Sequence, residues 1–124
     1  MNAIWIKWGS ALLFLGVALG AFGAHAMKGR ITPELTEVYK TAVLYHLIHA
    51  LGILAVAALS GIFPANRLQL AETFLVLGIF FFSGSLYLLV ATGQKWLGAI
   101  TPLGGLSFLA AWAVVFFSIT NKGG

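Results

Sequence analysis

Apolar residues occur in four long, continuous runs that are separated by short polar connections. The runs cover roughly 4–27, 41–62, 68–92 and 97–120. A helix needs about 20 apolar residues to cross roughly 30 Å of hydrocarbon, whereas the strands of a membrane barrel are about half as long and alternate apolar with polar positions. The runs do not alternate. The pattern predicts an all-α integral membrane protein, an antiparallel four-transmembrane-helix bundle that forms a single membrane domain over 1–124.

Capping residues in the connections predict where the helices begin. Thr32 and Pro33 are typical of an N-cap and a first helical position, so we expect the second helix to begin near 33, ahead of its apolar run. Asn66, with Gln69 three residues later, matches a capping box for the third helix. The pair Thr101–Pro102 offers a similar start for the fourth helix.

The composition supports lipid as the solvent for most of the chain. Hydrophobic residues make up 60% and charged residues 8%, against about 25% charged residues in soluble domains. The net charge of +4 comes from basic residues that lie between the apolar runs, where they anchor helices at head groups. We therefore expect membrane lipids as partners, and no nucleic acid. Basic residues divide almost evenly between the two sides, so the positive-inside rule leaves the orientation open.

The chain lacks the residue sets of several kinds of chemistry. It has no cysteine, which excludes disulfides, thiolate metal sites and thiol catalysis. It also has no phosphate loop, no carboxylate pair and no convincing set of nucleophile, base and acid. We do not expect an enzyme.

Small residues concentrate in "GAFGAHAMKGR", residues 20–30. The "AHA" at 24–26 resembles a signal-peptide cleavage site, but the apolar run before it is long enough to span a membrane, so we expect the helix to be retained. In lipid, small residues let helix backbones approach closely. We expect close packing inside one bundle, with a homo-oligomer interface as the alternative. The packing candidates are Gly16, Gly20, Gly23, Ser83, Gly84, Ser85, Gly104 and Gly105.

The three histidines form a candidate polar site together with Tyr45. His46 and His49 share one helix face, because residues three apart lie about one turn from each other. His25 ends the first run, and antiparallel helices would bring it to the same end of the bundle. Three interpretations remain open: structural hydrogen bonds that hold the helix register, haem or transition-metal binding by the three imidazoles, and handling of protons or a solute.

Glu72 is a carboxylate inside the third apolar run. An unpaired charge at this depth costs several kcal/mol. Lys7 enters the membrane from the same side, so we expect an intramembrane ion pair between Lys7 and Glu72. The alternative is a coupling carboxylate in an ion or solute pathway.

Four segments together resemble a known family over about residues 9–112. They are "LGAFGAHAMKG", "YKTAVLYHLIHALGIL", "FFSGSLYLL" and "WLGAITPLGGLSFLAAW", in this order. The chain is identified as similar to domain of unknown function family 423, whose eukaryotic relative is transmembrane protein 256. The resemblance implies a four-span, multi-pass protein of the bacterial inner membrane, and it implies no established activity. The positions that carry it are Gly20, Gly23, His25, Tyr45, His46, His49, Ser83, Gly84, Ser85, Tyr87, Thr101, Pro102, Gly104 and Gly105.

Two classes of function follow from these observations. The first is a non-enzymatic, oligomeric bundle that binds or passes a small solute, an ion or a lipid. The second is a haem- or metal-binding accessory subunit of a larger membrane complex, which would use His25, His46 and His49 as ligands.

Overall fold

The computed structural model describes residues 2–119, apart from the side chains of Asn2 and Ala65. Within this range it contains helices and turns but no strand. Four helices are long and apolar enough to cross a membrane, as the apolar runs predict. The predicted end of the fourth run, at residue 120, lies outside the described residues.

The first two helices are joined by a five-residue connection. Helix α1 begins as Asn2–Val17, continues through a π-helical segment, Ala18–Gly23, and ends as Ala24–Met27. Helix α2 covers Pro33–Leu59. The Thr32 hydroxyl accepts a hydrogen bond from the Leu35 N–H at 3.1 Å. The predicted start of this helix is confirmed, and its first two turns precede the apolar run.

The last two helices are joined by a short 3₁₀ turn. Helix α3 begins as Ala65–Gly78, passes through a second π-helical segment, Ile79–Ser83, and ends as Gly84–Thr92. The turn is Lys95–Ala99, and helix α4 covers Thr101–Ser118.

Two of the predicted caps are wrong. Helix α3 begins at Ala65, so Asn66 lies inside its first turn, and none of the described side chains caps the helix. Thr101 is the first residue of helix α4 rather than its N-cap. The Thr101 hydroxyl instead forms a hydrogen bond of 2.6 Å with the Ser85 hydroxyl, because the close approach of α4 to α3 offers it a partner on the neighbouring helix.

Helices α2 and α3 form the centre of the bundle. Helix α1 packs mainly on α2, and α4 packs mainly on the first half of α3. In their most apolar windows, 44% of α2 and 39% of α3 are buried, against 11% of α1 and 17% of α4. The outer helices therefore expose most of their apolar surface to lipid. The buried core consists of Leu12, Ala50, Ile53, Val56, Leu68, Leu75, Ile79, Phe108 and Ala111.

The glycines of α1 face α2 of the same chain. A Cβ atom at Gly16 would collide with Leu47, one at Gly20 would press on Val43, and one at Gly23 would collide with the Tyr39 hydroxyl. The stripe of small residues thus serves packing within one bundle.

The small residues of α3 and α4 divide into two groups. Gly104 lies against the backbone of Phe82, where a Cβ atom would not fit. Ser83 donates a hydrogen bond across to the Ala42 carbonyl on α2 at 2.7 Å. Gly84 and Gly105 make no contact of this kind, since a Cβ atom at either would have its nearest neighbour at 3.9 Å or beyond. The prediction that these two glycines are packing notches is wrong.

Candidate functional site

His46 lies at the middle of the bundle and both of its ring nitrogens are hydrogen-bonded. Only 1% of the residue is exposed. Its Nε2 is 2.7 Å from the Leu12 carbonyl oxygen on α1, and its Nδ1 is 2.7 Å from the Tyr87 hydroxyl on α3. Because a carbonyl only accepts, Nε2 must donate, and the neutral ring then accepts at Nδ1 from the Tyr87 O–H. One imidazole therefore ties three helices together.

Gly16 makes the bond to Leu12 possible. It lies one helical turn after Leu12, and a Cβ atom at this position would sit 3.2 Å from the His46 ring. Because glycine has no side chain, the ring can reach a backbone carbonyl that a larger residue would cover.

A second glycine on α1 also lets a side chain of α2 reach a backbone carbonyl. The Tyr39 hydroxyl donates to the Leu19 carbonyl, and Gly23, four residues after Leu19, leaves room for it. Tyr39 precedes His46 by seven residues, and Leu12 precedes Leu19 by seven. Residues seven apart lie on the same helix face, two turns from each other. The two hydrogen bonds therefore join the same faces of the two antiparallel helices, two turns apart.

His49 packs among aromatic rings. It is 7% exposed, and its Nδ1 donates to the Tyr45 carbonyl, one turn earlier, at 2.8 Å. Its ring stacks on Phe108 with a centroid distance of 3.6 Å. Tyr45 lies partly exposed at the bundle surface, with its ring 4.5 Å from that of Phe82. These contacts join α2 to both α3 and α4.

The structure does not bring His25 to the other two histidines, so the predicted three-histidine cluster is wrong. His25 is exposed, and it follows Leu12, the contact of His46, by thirteen residues, or about 20 Å along a helix. Because α2 begins at Pro33, His46 lies about 20 Å into this helix, whereas His25 lies near the end of α1. Residues 2–119 contain no group of three His, Cys, Asp or Glu side chains able to hold a metal ion.

Glu72 is as deeply buried as His46 but differs from it in its partners. The residue is 1% exposed, and neither carboxyl oxygen has a hydrogen-bond partner among the described residues. It lies in the first half of α3, on a face that also buries Leu68, Ala71 and Leu75. Burial without a hydrogen bond is costly for any polar group and most costly for a charged one.

The predicted ion pair between Lys7 and Glu72 does not form. Lys7 is exposed on α1, and no ion pair joins it to Glu72. Helix α1 packs mainly on α2, while Glu72 belongs to the part of α3 that packs on α4. The apolar runs predict that both residues lie near the same side of the membrane, but they do not predict which helices are neighbours. The helix neighbours separate the two charges.

Trp5 and Tyr87 are further polar groups that the sequence did not identify as site residues. The Trp5 Nε1–H is buried and has no partner in the described part of the chain, and Trp5 packs against the same apolar core as Leu68 and Leu75. Of the sequence observations, only the family resemblance points to Tyr87. A tyrosine within a membrane span is a signal in itself, because its hydroxyl needs a partner when buried.

The fold and the polar sites define a small all-α membrane protein with four spanning helices. Comparison with known sequences places it in a family. The chain belongs to the family described as "Protein of unknown function (DUF423)", whose match covers residues 19–105. The resemblance that the sequence motifs carry is thereby confirmed.

Relatives match almost the whole chain. It is 43% identical over 116 residues to the UPF0382 membrane protein YwdK of Bacillus subtilis (strain 168), which covers 90% of this chain and 92% of that protein. It is 40% identical over 115 residues to the UPF0382 membrane protein SH2409 of Staphylococcus haemolyticus (strain JCSC1435), with 93% of each chain covered. No solved structure matches the chain significantly.

Proposed function

We propose that this protein is a non-enzymatic membrane bundle that binds a small cation within the hydrocarbon region, with Glu72 as the binding group and the proton as the cation. The observation that carries the proposal is the buried carboxyl group whose two oxygens have no hydrogen-bond partner in residues 2–119. Ionisable groups inside membrane spans are rare and costly, and they often mark ion pathways.

The proton suits this site better than a metal ion. A metal cation needs several oxygen ligands, and Glu72 lies among apolar side chains on its own helix, namely Leu68, Ala71 and Leu75. A proton needs only the carboxylate itself. Protonation also removes the charge, which is the largest cost of burying this residue.

The charged and titratable groups around Glu72 are few. Helix α1 contributes Lys7 at this end of the bundle, and α3 contributes Arg67, and both are exposed. Helix α2 contributes His46 and His49, which are engaged by their own hydrogen bonds. Helix α4 has no charged residue between Thr101 and Ser118. A proton on Glu72 would therefore neutralise the carboxylate without competition from a neighbouring ion pair.

The histidines support a structural role better than a cofactor site. His46 uses both ring nitrogens, so a metal or haem iron would have to break a hydrogen bond to bind there. His25 lies far along α1. The accessory-subunit alternative would need ligands from another chain.

The protein's setting is part of the proposal. We propose the bacterial inner membrane as its location, since curated relatives from bacteria are named membrane proteins. The homo-oligomer and the larger membrane complex stay predictions. The broad apolar faces of α1 and α4 are available to a second copy as well as to lipid.

Carbodiimide labelling tests the proposal, because apolar carbodiimides react with protonated carboxyl groups in lipid. We expect dicyclohexylcarbodiimide to modify Glu72 in the reconstituted protein, as mapped by mass spectrometry. Labelling should fall as the pH rises, because the deprotonated carboxylate does not react. Glu34 and Glu37 lie exposed outside the apolar run and serve as internal controls. Equal labelling of all three residues, or none of Glu72 at any pH, would contradict a buried proton site.

A further inference from the structure

A basic cavity lies at the opposite end of the bundle from Glu72. It is formed where α1 ends and α2 begins, and it has a volume of about 340 Å³. Such a volume lies within the usual range of small-molecule sites. The residues that line it are Ala24, Met27, Lys28, Gly29, Ile31, Thr36, Tyr39 and Lys40.

The cavity combines two positive charges with an apolar wall. Lys28 and Lys40 line it, and no acidic residue is among its described lining residues. Met27 and Ile31 supply apolar surface beside them. This pairing of cationic groups with an apolar wall matches an amphipathic anion better than a fully solvated one.

The turn that carries Lys28 gives the cavity its shape. Gly29 has a φ of 77°, a left-handed conformation that other residues adopt only at a cost. The turn lets the chain reverse between α1 and α2 within five residues. Lys28, from the end of one helix, and Lys40, two turns into the next, thereby line the same space.

Lys40 can exchange its present partner for a ligand. Its Nζ lies 3.5 Å from a carboxylate oxygen of Glu37, and both side chains are largely exposed. An exposed pair of this kind contributes little to stability. Further basic residues at this end are Arg30 in the same connection and Lys95 in the 3₁₀ turn. Together with Lys28 and Lys40 they outnumber the two exposed carboxylates at this end, Glu34 and Glu37, so the surrounding potential favours an anion.

We propose that this cavity binds the phosphate group of an anionic membrane phospholipid, with Lys28 and Lys40 as the phosphate ligands and the lipid's apolar part against Met27 and Ile31. The position supports a lipid, because the cavity lies at the ends of two membrane-spanning helices, at head-group level. Basic pockets between spanning helices are known to hold lipid head groups. Free phosphate shares the anionic chemistry but would not use the apolar wall.

The test measures binding of phosphatidylglycerol, phosphatidylcholine and inorganic phosphate to the full chain in detergent, by native mass spectrometry and thermal shift. We expect phosphatidylglycerol to bind most tightly. The double variant Lys28→Gln with Lys40→Gln should bind it about thirtyfold more weakly, since each lysine near an anionic lipid contributes about a factor of five. Lys7→Gln with Arg67→Gln removes the same charge at the other end and is the matched control.

The following outcomes decide the proposal. Loss in the Lys28 and Lys40 variant alone, with recovery when both are arginine, supports the site. Equal loss in both double variants would show that bulk charge attracts the lipid, and it would overturn the proposal. Inorganic phosphate binding as tightly as phosphatidylglycerol would overturn the lipid assignment. If the glutamine variant fails to fold, as judged by gel filtration and circular dichroism, Lys28→Arg with Lys40→Ala, which keeps one of the two charges, provides the measurement: weaker phosphatidylglycerol binding supports the site, and unchanged binding overturns it.

Discussion

His46 and Glu72 are buried to the same extent but differ in what surrounds them. Each residue is 1% exposed. Both ring nitrogens of His46 have hydrogen-bond partners, on α1 and α3, whereas both carboxyl oxygens of Glu72 lack one in the described chain. The hydrogen bonds of His46 hold helices together, which explains its presence in the core. Glu72 forms no such bond within the described chain, so its presence calls for a different explanation. Burial alone does not separate a structural polar residue from a functional one; the partners do.

The largest expected effect comes from His46→Ala. The substitution removes two interhelical hydrogen bonds, leaves the Tyr87 hydroxyl without its acceptor, and opens a cavity at the centre of the bundle. We expect the free energy of unfolding to fall by about 3 kcal/mol. Unfolding in mixed micelles of dodecyl maltoside and sodium dodecyl sulfate, followed by circular dichroism, measures it. His25→Ala, at an exposed position, is the control and should change little. A loss below 1 kcal/mol for His46→Ala would show that the hydrogen bonds of His46 do not stabilise the bundle.

In contrast to His46→Ala, the substitution Glu72→Leu is expected to raise the free energy of unfolding. Replacing a buried, unpartnered polar group by an apolar one of similar size removes its desolvation cost, and we expect a gain of about 1–3 kcal/mol in the free energy of unfolding. Gln69→Leu, an exposed position one turn earlier on α3, should stay within about 0.5 kcal/mol. The same micelle assay measures both. A strong destabilisation by Glu72→Leu would mean that the carboxyl group stabilises the fold, and the contrast with His46 would disappear.

A smaller loss is expected for Tyr87→Phe. The change removes one hydroxyl and leaves His46 Nδ1 without its donor, while the ring stays beside Tyr39. Hydrogen bonds between membrane helices contribute about 0.6 kcal/mol on average, with a maximum near 1.7. We expect a loss of about 1 kcal/mol. In the His46→Ala background the same change should cost less, since its partner is already gone. Additive losses would contradict a direct bond.

The number of spanning helices could be predicted because lipid imposes a minimum length on each span. Pro33 and Thr32 added a local signal, and the helix begins where they predict. Caps on α3 and α4 were mispredicted because Asn66 and Thr101 look the same in sequence whether they cap a helix or lie just inside it.

The neighbours of each helix could not be predicted from the periodicity of the sequence. Periodicity indicates which face of a helix is buried, but not which other helix packs on that face. Lys7 and Glu72 illustrate this limit, because both lie near the same side but on helices with different main partners. The bond of His46 to Leu12 was missed for a related reason: its acceptor is a backbone carbonyl, and every residue has one. The visible signal was the glycine four residues later.

Gly16 and Gly23 on α1, which leave room for two side chains of α2 to reach backbone carbonyls, determine which substitutions this helix tolerates. His46 and Tyr39 recognise main-chain oxygen atoms, so the identities of the side chains at positions 12 and 19 do not enter the recognition. Gly16 and Gly23 do enter it, although neither supplies a functional group. In a saturation mutagenesis library, aliphatic exchanges at the two leucines should survive, while even alanine at the two glycines should be depleted. The positions of this helix that tolerate the fewest substitutions are therefore two glycines, which carry no functional group.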